Sequence, residues 1–173
     1  MKTYVITGGP GSGKTTTIEC LREKGFYIID EAARIVLKEN QNQRDNKGRI
    51  QRQIFDRQEQ QFKQASEKGI VIFDRGFGDT LGYFSVYGYK IPQELLKKAE
   101  KQRYDMVFFL EPLEKYENDN IRTETQKESE EIGEEIKKVY NNLGYSIIIV
   151  PFMPVKDRAE FIEKHINKEN KSI

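Results

Sequence analysis

The chain has 173 residues, with Lys+Arg 29 against Asp+Glu 28 and a formal net charge of +1. That length suits one domain with its own core, and the balanced charge gives no general attraction to nucleic acid or to an anionic membrane. One cysteine, Cys20, excludes an internal disulfide framework, and no stretch approaches the roughly 18 apolar residues of a membrane span.

The chain starts in a strand, without a basic and apolar leader, so a cytoplasmic protein with neither membrane nor nucleic acid as partner is expected. That strand, Thr3-Tyr4-Val5-Ile6, leads into Gly8-Gly9-Pro10-Gly11-Ser12-Gly13-Lys14-Thr15, which meets the pattern G-x-x-x-x-G-K-[ST] in full. Glycines let successive backbone N–H groups turn inward onto phosphate oxygens at the positive end of the helix that follows. Gly9, Pro10, Gly11, Ser12, Gly13, Lys14, Thr15 and Thr16 are therefore the expected phosphate cradle of a nucleoside triphosphate. Lys14 would neutralise the β- and γ-phosphates and Thr15 would ligate Mg²⁺.

The first helix runs to about Lys24 and stops at Gly25, with Cys20 as a small core residue. Phe26 to Ile29 is a second short strand whose carboxyl end delivers Asp30 and Glu31, and ligands of open parallel sheets bind outside such ends. Glu31 and Arg34, three residues apart on the next helix, share a face and suit an acceptor hydroxyl and a phosphate; a helix-start carboxylate with an exposed arginine is the plainer reading. Residues 40–49 read as a polar loop closing on Gly48, and a long helix with Ile50, Ile54, Phe55 and Phe62 follows to a stop at Gly69, its glutamines forming the wet face.

Ile70 to Phe73 is the third strand, and an aspartate after four apolar strand residues, Asp74, is the arrangement that holds Mg²⁺. Arg75 stands where a hydrolysing motor would show glutamate, and it suits gripping a phosphate or a polar acceptor. The aromatic, glycine-rich run from Gly76 to Tyr89 is expected to fold tightly over an apolar hole. Pro92 opens another helix, Met106 to Leu110 is the fourth strand, and the charged segment of about 113–126 is the expected lid, with Arg122 closing on the transferring phosphoryl group. Thr125 and Glu128 form a capping box, Tyr145 to Val150 is the fifth strand, and the Pro151–Pro154 loop suits either an adenine clamp or a sharp turn. His165, on the distant last helix, is left out of catalysis.

With these pieces placed, the sequence resembles the AAA-type P-loop ATPase and kinase domain family related to the nicotinamide-riboside kinase part of NadR. The resemblance rests on ITGGPGSGKTT, IIDEAAR, IVIFDRGFGDTLGYF, RYDMVFFLEP, NDNIRTET and LGYSIIIVPFMPVKDRAEFI, and spans nearly the whole chain. It implies an α/β, three-layer P-loop NTPase fold: a five-stranded parallel sheet with helices on both faces, a kinase-like lid, and an ATP·Mg²⁺ site in a single domain covering 1–173. By the same resemblance Gly8, Gly11, Gly13, Lys14 and Thr15 bind phosphate and metal, and Asp74 and Arg75 belong to the acceptor and Mg²⁺ side. Arg122 is then the lid arginine, and Glu31 takes the place of a carboxylate that accepts the hydroxyl proton. The lid carries one arginine where related kinases often carry more, and the chain has no tryptophan. Adenine over guanine is an expectation from the family.

A small-molecule kinase is therefore the leading expectation, with Glu31 or Asp74 orienting the acceptor and Lys14, Arg75 and Arg122 stabilising the transferring group. A nucleotide-switched regulator would in its guanine form want N-K-x-D, and Asn46-Lys47-Gly48-Arg49 lacks the aspartate. A ring ATPase is mimicked by Asp30-Glu31, but no room remains for its helical lid domain. A nucleic-acid module would need a basic patch that the sequence does not show.

Overall fold

Alternation along the strands decides the layering. Tyr4 and Ile6 of β1 (Lys2–Thr7) pack into one core, while Val5 between them packs into another. The computed structural model describes residues 1–40, 46–65, 68–112 and 125–170. The remaining strands are β2 (Tyr27–Ile29), β3 (Ile70–Asp74), β4 (Met106–Leu110) and β5 (Ile147–Val150), all parallel in the order β2-β3-β1-β4-β5. A strand buried on both faces needs apolar residues at successive positions, and VIF in β3 and VFFL in β4 supply them.

Helices α1 (Lys14–Glu23) and α7 (Val155–Asn170) cover one face through Ile18, Leu21, Ala159, Ile162 and Ile166. Four helices cover the other face through Phe55, Phe77, Leu81, Leu95, Ile136 and Tyr140: α3 (Lys47–Gln64), α4 (Phe77–Val86), α5 (Gln93–Lys101) and α6 (Gln126–Asn142). Helix α2 (Ala32–Glu39) packs on α3 in a small separate cluster of Ala32, Val36, Ile50 and Ile54. The expected three-layer, five-stranded parallel α/β fold is the observed one.

Register carries the site residues to one edge. Ile6 pairs with Asp74, so the third-strand aspartate stands beside the end of β1 where the phosphate loop begins. Ile29 pairs with Phe73, so the acidic residues after β2 reach the same rim.

Several local expectations are corrected. The polar stretch before α3 is shorter than 40–49, because Asn46 caps the helix by accepting from the Arg49 N–H (3.0 Å), and Gly48 lies in the first turn. Helix α3 ends at Gln64, before Gly69. The Gly76–Tyr89 run is mostly helix; Gly78 and Gly82 sit in α4 because a Cβ there would stand 2.6 Å from the Tyr140 ring and 3.1 Å from the Ile136 backbone. The fifth strand starts at Ile147. Thr125 and Gln126 begin α6, with the Thr125 capping box as expected, and the rest of the lid segment, Arg122 included, lies outside the described residues. Cys20 packs against the core shared with α1, and His165 of α7 rests against Phe161 of the same helix and Phe108 of β4.

Candidate active site

Between β1 and α1 the chain turns through Gly11 and Gly13 in left-handed conformation (φ 75 and 77). Its carbonyls are taken from outside: Lys14 Nζ donates to the Gly8 (3.0 Å) and Gly9 (2.7 Å) carbonyls, Ser129 Oγ to that of Pro10, and Arg158 Nη1 to that of Ser12 (2.6 Å). The N–H groups of Gly11 and Gly13 donate to nothing among the described residues. Free N–H groups at a helix start are what a phosphate needs.

This loop forms one wall of a cavity of about 250 Å³ that also takes in Lys14, Thr15, Thr16, Glu31, Arg34, Asp74, Arg75 and Tyr83. Lys14 is buried, and its Nζ also donates to Ser12 Oγ (3.1 Å). Burial, reinforced by the nearby Arg75 cation, lowers the Lys14 ammonium from 10.5 to about 7. An arriving polyanion would restore its charge. Thr15 Oγ1 accepts from Arg34 Nη2 (3.0 Å) and keeps a lone pair for a cation, whereas Thr16 Oγ1 donates to the Gly13 carbonyl (2.9 Å).

Beside the loop lies a buried ionic cluster. Arg75 is the one described non-glycine residue with positive φ (65), a conformation costing on the order of 1–3 kcal/mol. Its side chain holds it there: Nε pairs with Glu31 Oε1 (3.0 Å), and Nη1 donates to Asp79 Oδ1 (2.7 Å) and the Gly8 carbonyl (3.3 Å). Asp79 is itself saturated, accepting also from Thr7 Oγ1 (2.6 Å), Tyr140 Oη (2.8 Å) and the Gly76 N–H (3.0 Å). Such a fixed carboxylate makes Arg75 a rigid cation.

The two acids named from sequence are held in opposite ways. Burial alone would raise Glu31, but Arg75, Lys14 and Arg34 outweigh it and leave its carboxyl below the usual 4.5. Asp74 is the more deeply buried of the two, and burial and the neighbouring Glu31 raise it from 3.8 to about 6. The expected Glu31–Arg34 pair is present (3.0 Å), with Arg34 largely exposed.

A second cavity, of about 270 Å³, shares Glu31, Arg75 and Tyr83 with the first. Leu37, Ile50 and Ile54 form its apolar wall, and Gln51, Thr80, Tyr87 and Lys47 its polar groups. Gln58 is fully committed, its amide nitrogen to the Gly76 carbonyl (3.0 Å) and its oxygen to Thr80 Oγ1 (2.9 Å). Gln51 is 6% exposed, and its amide meets no partner among the described residues. Sequence reasoning missed Gln51, Asp79 and Tyr83. The glutamines on α3 read as solvated, although Gln51, Ile54 and Gln58 recur at helical spacing along one stripe.

The model of a family described as an AAA domain matches residues 3–158. No curated protein is significantly similar in sequence. Among solved structures, deoxyadenosine kinase from M. mycoides with bound dATP superposes with a TM-score of 0.69 at 19% identity, over 95% of this chain and 99% of that one. Thymidylate kinase from Candida albicans gives 0.65 at 14% identity (98% and 92% covered), and shikimate kinase from Aquifex aeolicus 0.61 at 17% (98% and 98%). At these identities the likeness is one of fold, shared along nearly the whole of each chain.

Proposed function

The chain belongs to the AAA domain family, and from that premise we propose that it is a small-molecule kinase, transferring the γ-phosphoryl group of ATP to the hydroxyl of a nucleoside-like acceptor with Mg²⁺. The observation that carries this reading is the pair of adjoining cavities with Glu31, Arg75 and Tyr83 as their common wall. A phosphate pocket opening directly onto a half-apolar pocket is what a transfer between two bound molecules requires. That the fold neighbours are kinases of a nucleoside, a nucleotide and shikimate supports the same reading.

In this mechanism the N–H groups of Gly11 and Gly13 and the Lys14 ammonium bind the β- and γ-phosphate oxygens. Thr15 Oγ1 and the Asp74 carboxylate would hold Mg²⁺. Among the described residues no group of three or more His, Cys, Asp or Glu gathers, which suits an ion that takes few protein ligands and completes its shell with water and phosphate. Bound there, Mg²⁺ supplies positive charge that weakens the repulsion between the phosphate oxygens and an incoming hydroxyl.

Glu31 lines both cavities and Asp74 only the phosphate cavity, which supports assigning the acceptor hydroxyl to Glu31 and the metal to Asp74. Held ionised by Arg75 and Arg34, Glu31 accepts a hydrogen bond from the hydroxyl and orients its oxygen toward the γ-phosphorus. Arg75 stabilises charge on the transferring group and cannot swing away, because Asp79 and Gly8 hold it. Arg122 would add a second cation from the lid segment. Leu37, Ile50 and Ile54 offer flat apolar cover for a base, and the unpartnered Gln51 amide offers one donor and one acceptor to its edge.

The test is to incubate the protein with γ-labelled ATP, Mg²⁺ and a panel of nucleosides, with Lys14→Ala as control. Label in a nucleoside monophosphate that the control does not form is the expected result. Label in inorganic phosphate alone would favour a hydrolytic switch acting through a protein partner.

A further inference from the structure

Arg158, on the first turns of α7, is 1% exposed and forms no ion pair with any described carboxylate. All its described bonds go to carbonyls: Nη1 to Ser12 (2.6 Å) and Nε to Met153 (3.0 Å), while Nη2 is buried and donates to nothing among the described residues. A cation placed this way is expensive. Transfer from water without a counter-ion costs several kcal/mol, and burial pushes the guanidinium below its usual value, opposed only by Glu111. The Phe152 ring, 5.6 Å away, returns a small part of that cost.

The bond to Ser12 has a geometric consequence. Every described peptide is trans, so the carbonyl of Ser12 and the N–H of Gly13 lie in one plane and point in opposite directions. By holding the carbonyl from the α7 side, Arg158 turns the Gly13 N–H toward the cavity that Gly13 lines. From the opposite helical layer, Ser129 of α6 does the same to the Pro10 carbonyl and so to the Gly11 N–H. Loop carbonyls are gripped from both layers of the molecule, and the two free N–H groups are left facing inward.

We propose that Arg158 is a positioning residue of the phosphate site, a buried cation that aims the Gly13 N–H through the Ser12 carbonyl and whose counter-charge is the polyphosphate of the bound nucleotide. This rests on the reading of the loop as a triphosphate site. It explains why a cation with no ion-pair partner among the described residues is kept in the interior: the cost is carried by the free protein and recovered on binding. A mere tie between α7 and the loop would be served as well by a neutral amide.

The experiment compares the whole chain with Arg158→Met and Arg158→Lys by thermal melting with and without ATP and by the KM for each substrate. Without nucleotide, Arg158→Met is expected to melt at or above the original temperature. Its ATP affinity falls about tenfold or more, its KM for the acceptor stays the same, and pyrophosphate affinity falls in parallel. Arg158→Lys, which keeps the charge but not the fork, recovers part of the loss. A variant that melts lower without nucleotide yet gains as much from ATP as the original chain overturns the proposal. Should Arg158→Met fail to fold, an Arg158→Lys chain with unchanged ATP affinity overturns it equally. If the original chain gains nothing from ATP, the nucleotide reading of the loop itself fails, a result seen before any variant is made.

Discussion

The cavity beside the glycine loop and the cavity against α2 and α3 are neighbours of different construction. One wall of the first is a single run, Pro10 to Thr16, whose free N–H groups are aimed by the path of the chain, and Glu31, Arg34, Asp74, Arg75 and Tyr83 complete it. The second has no such run and is gathered from α2, α3, α4 and the ends of β2 and β3. A backbone site tolerates any nucleotide with the right phosphates, whereas a side-chain site can be altered residue by residue. In the proposed reaction, recognition of the phosphate donor would fall to the first cavity and choice of the acceptor to the second, with Glu31, Arg75 and Tyr83 at the boundary.

Breaking the phosphate side is expected to have the largest effect. Lys14→Ala should reduce transfer by about a thousandfold while leaving the fold intact by circular dichroism; unchanged turnover would remove the loop from the mechanism. At the boundary, Glu31→Gln should lower kcat by roughly a hundredfold or more and leave ATP affinity within a few-fold. Equal loss of both would mean that Glu31 serves the phosphates and not the acceptor. On the acceptor side, Gln51→Leu should raise the acceptor KM by about tenfold, the worth of one buried hydrogen bond, with the KM for ATP unmoved.

The smallest effect is on stability. Asp74 is raised in the fold to about 6 from 3.8, so its neutral form favours the folded state, and that contribution is lost as pH rises through this range. At neutral pH the ionised carboxylate costs up to about 3 kcal/mol. Asp74→Asn should therefore be inactive yet more stable above about pH 6, with the gain vanishing below about pH 4. Melting curves across that range check the sign.

The same contrast explains what could be read from the sequence. The phosphate loop, the Glu31–Arg34 pair and Asp74 depend on local spacing or on a strand's end, and all three were legible. Gln51 was not, because its burial depends on α2 packing over α3, and α2 has only Ala32 and Val36 fully buried to announce it. Nor was the Gly76–Tyr89 run read as helical. Gly78 and Gly82 weaken helix propensity, and only their contact with Tyr140 and Ile136 on α6 shows why they are needed. Asp79 has no signal of its own in the sequence, yet it holds the side chain of Arg75 and the Gly76 N–H that follows it.

Strand β1 is the first element of the chain and the middle of the sheet, and this has a consequence for how the protein comes into being. Lys2 finds its partner only at Ile70 and Tyr4 a second one only at Met106, so the central strand waits for most of the chain before either edge is satisfied. Pairings this distant in sequence are slow to close. Until they close, the loop after β1 has no fixed entry, and Ser129 and Arg158, which grip its carbonyls, come from still later in the chain. A nucleotide that needs the finished loop would therefore act late, as a latch on a structure already nearly complete.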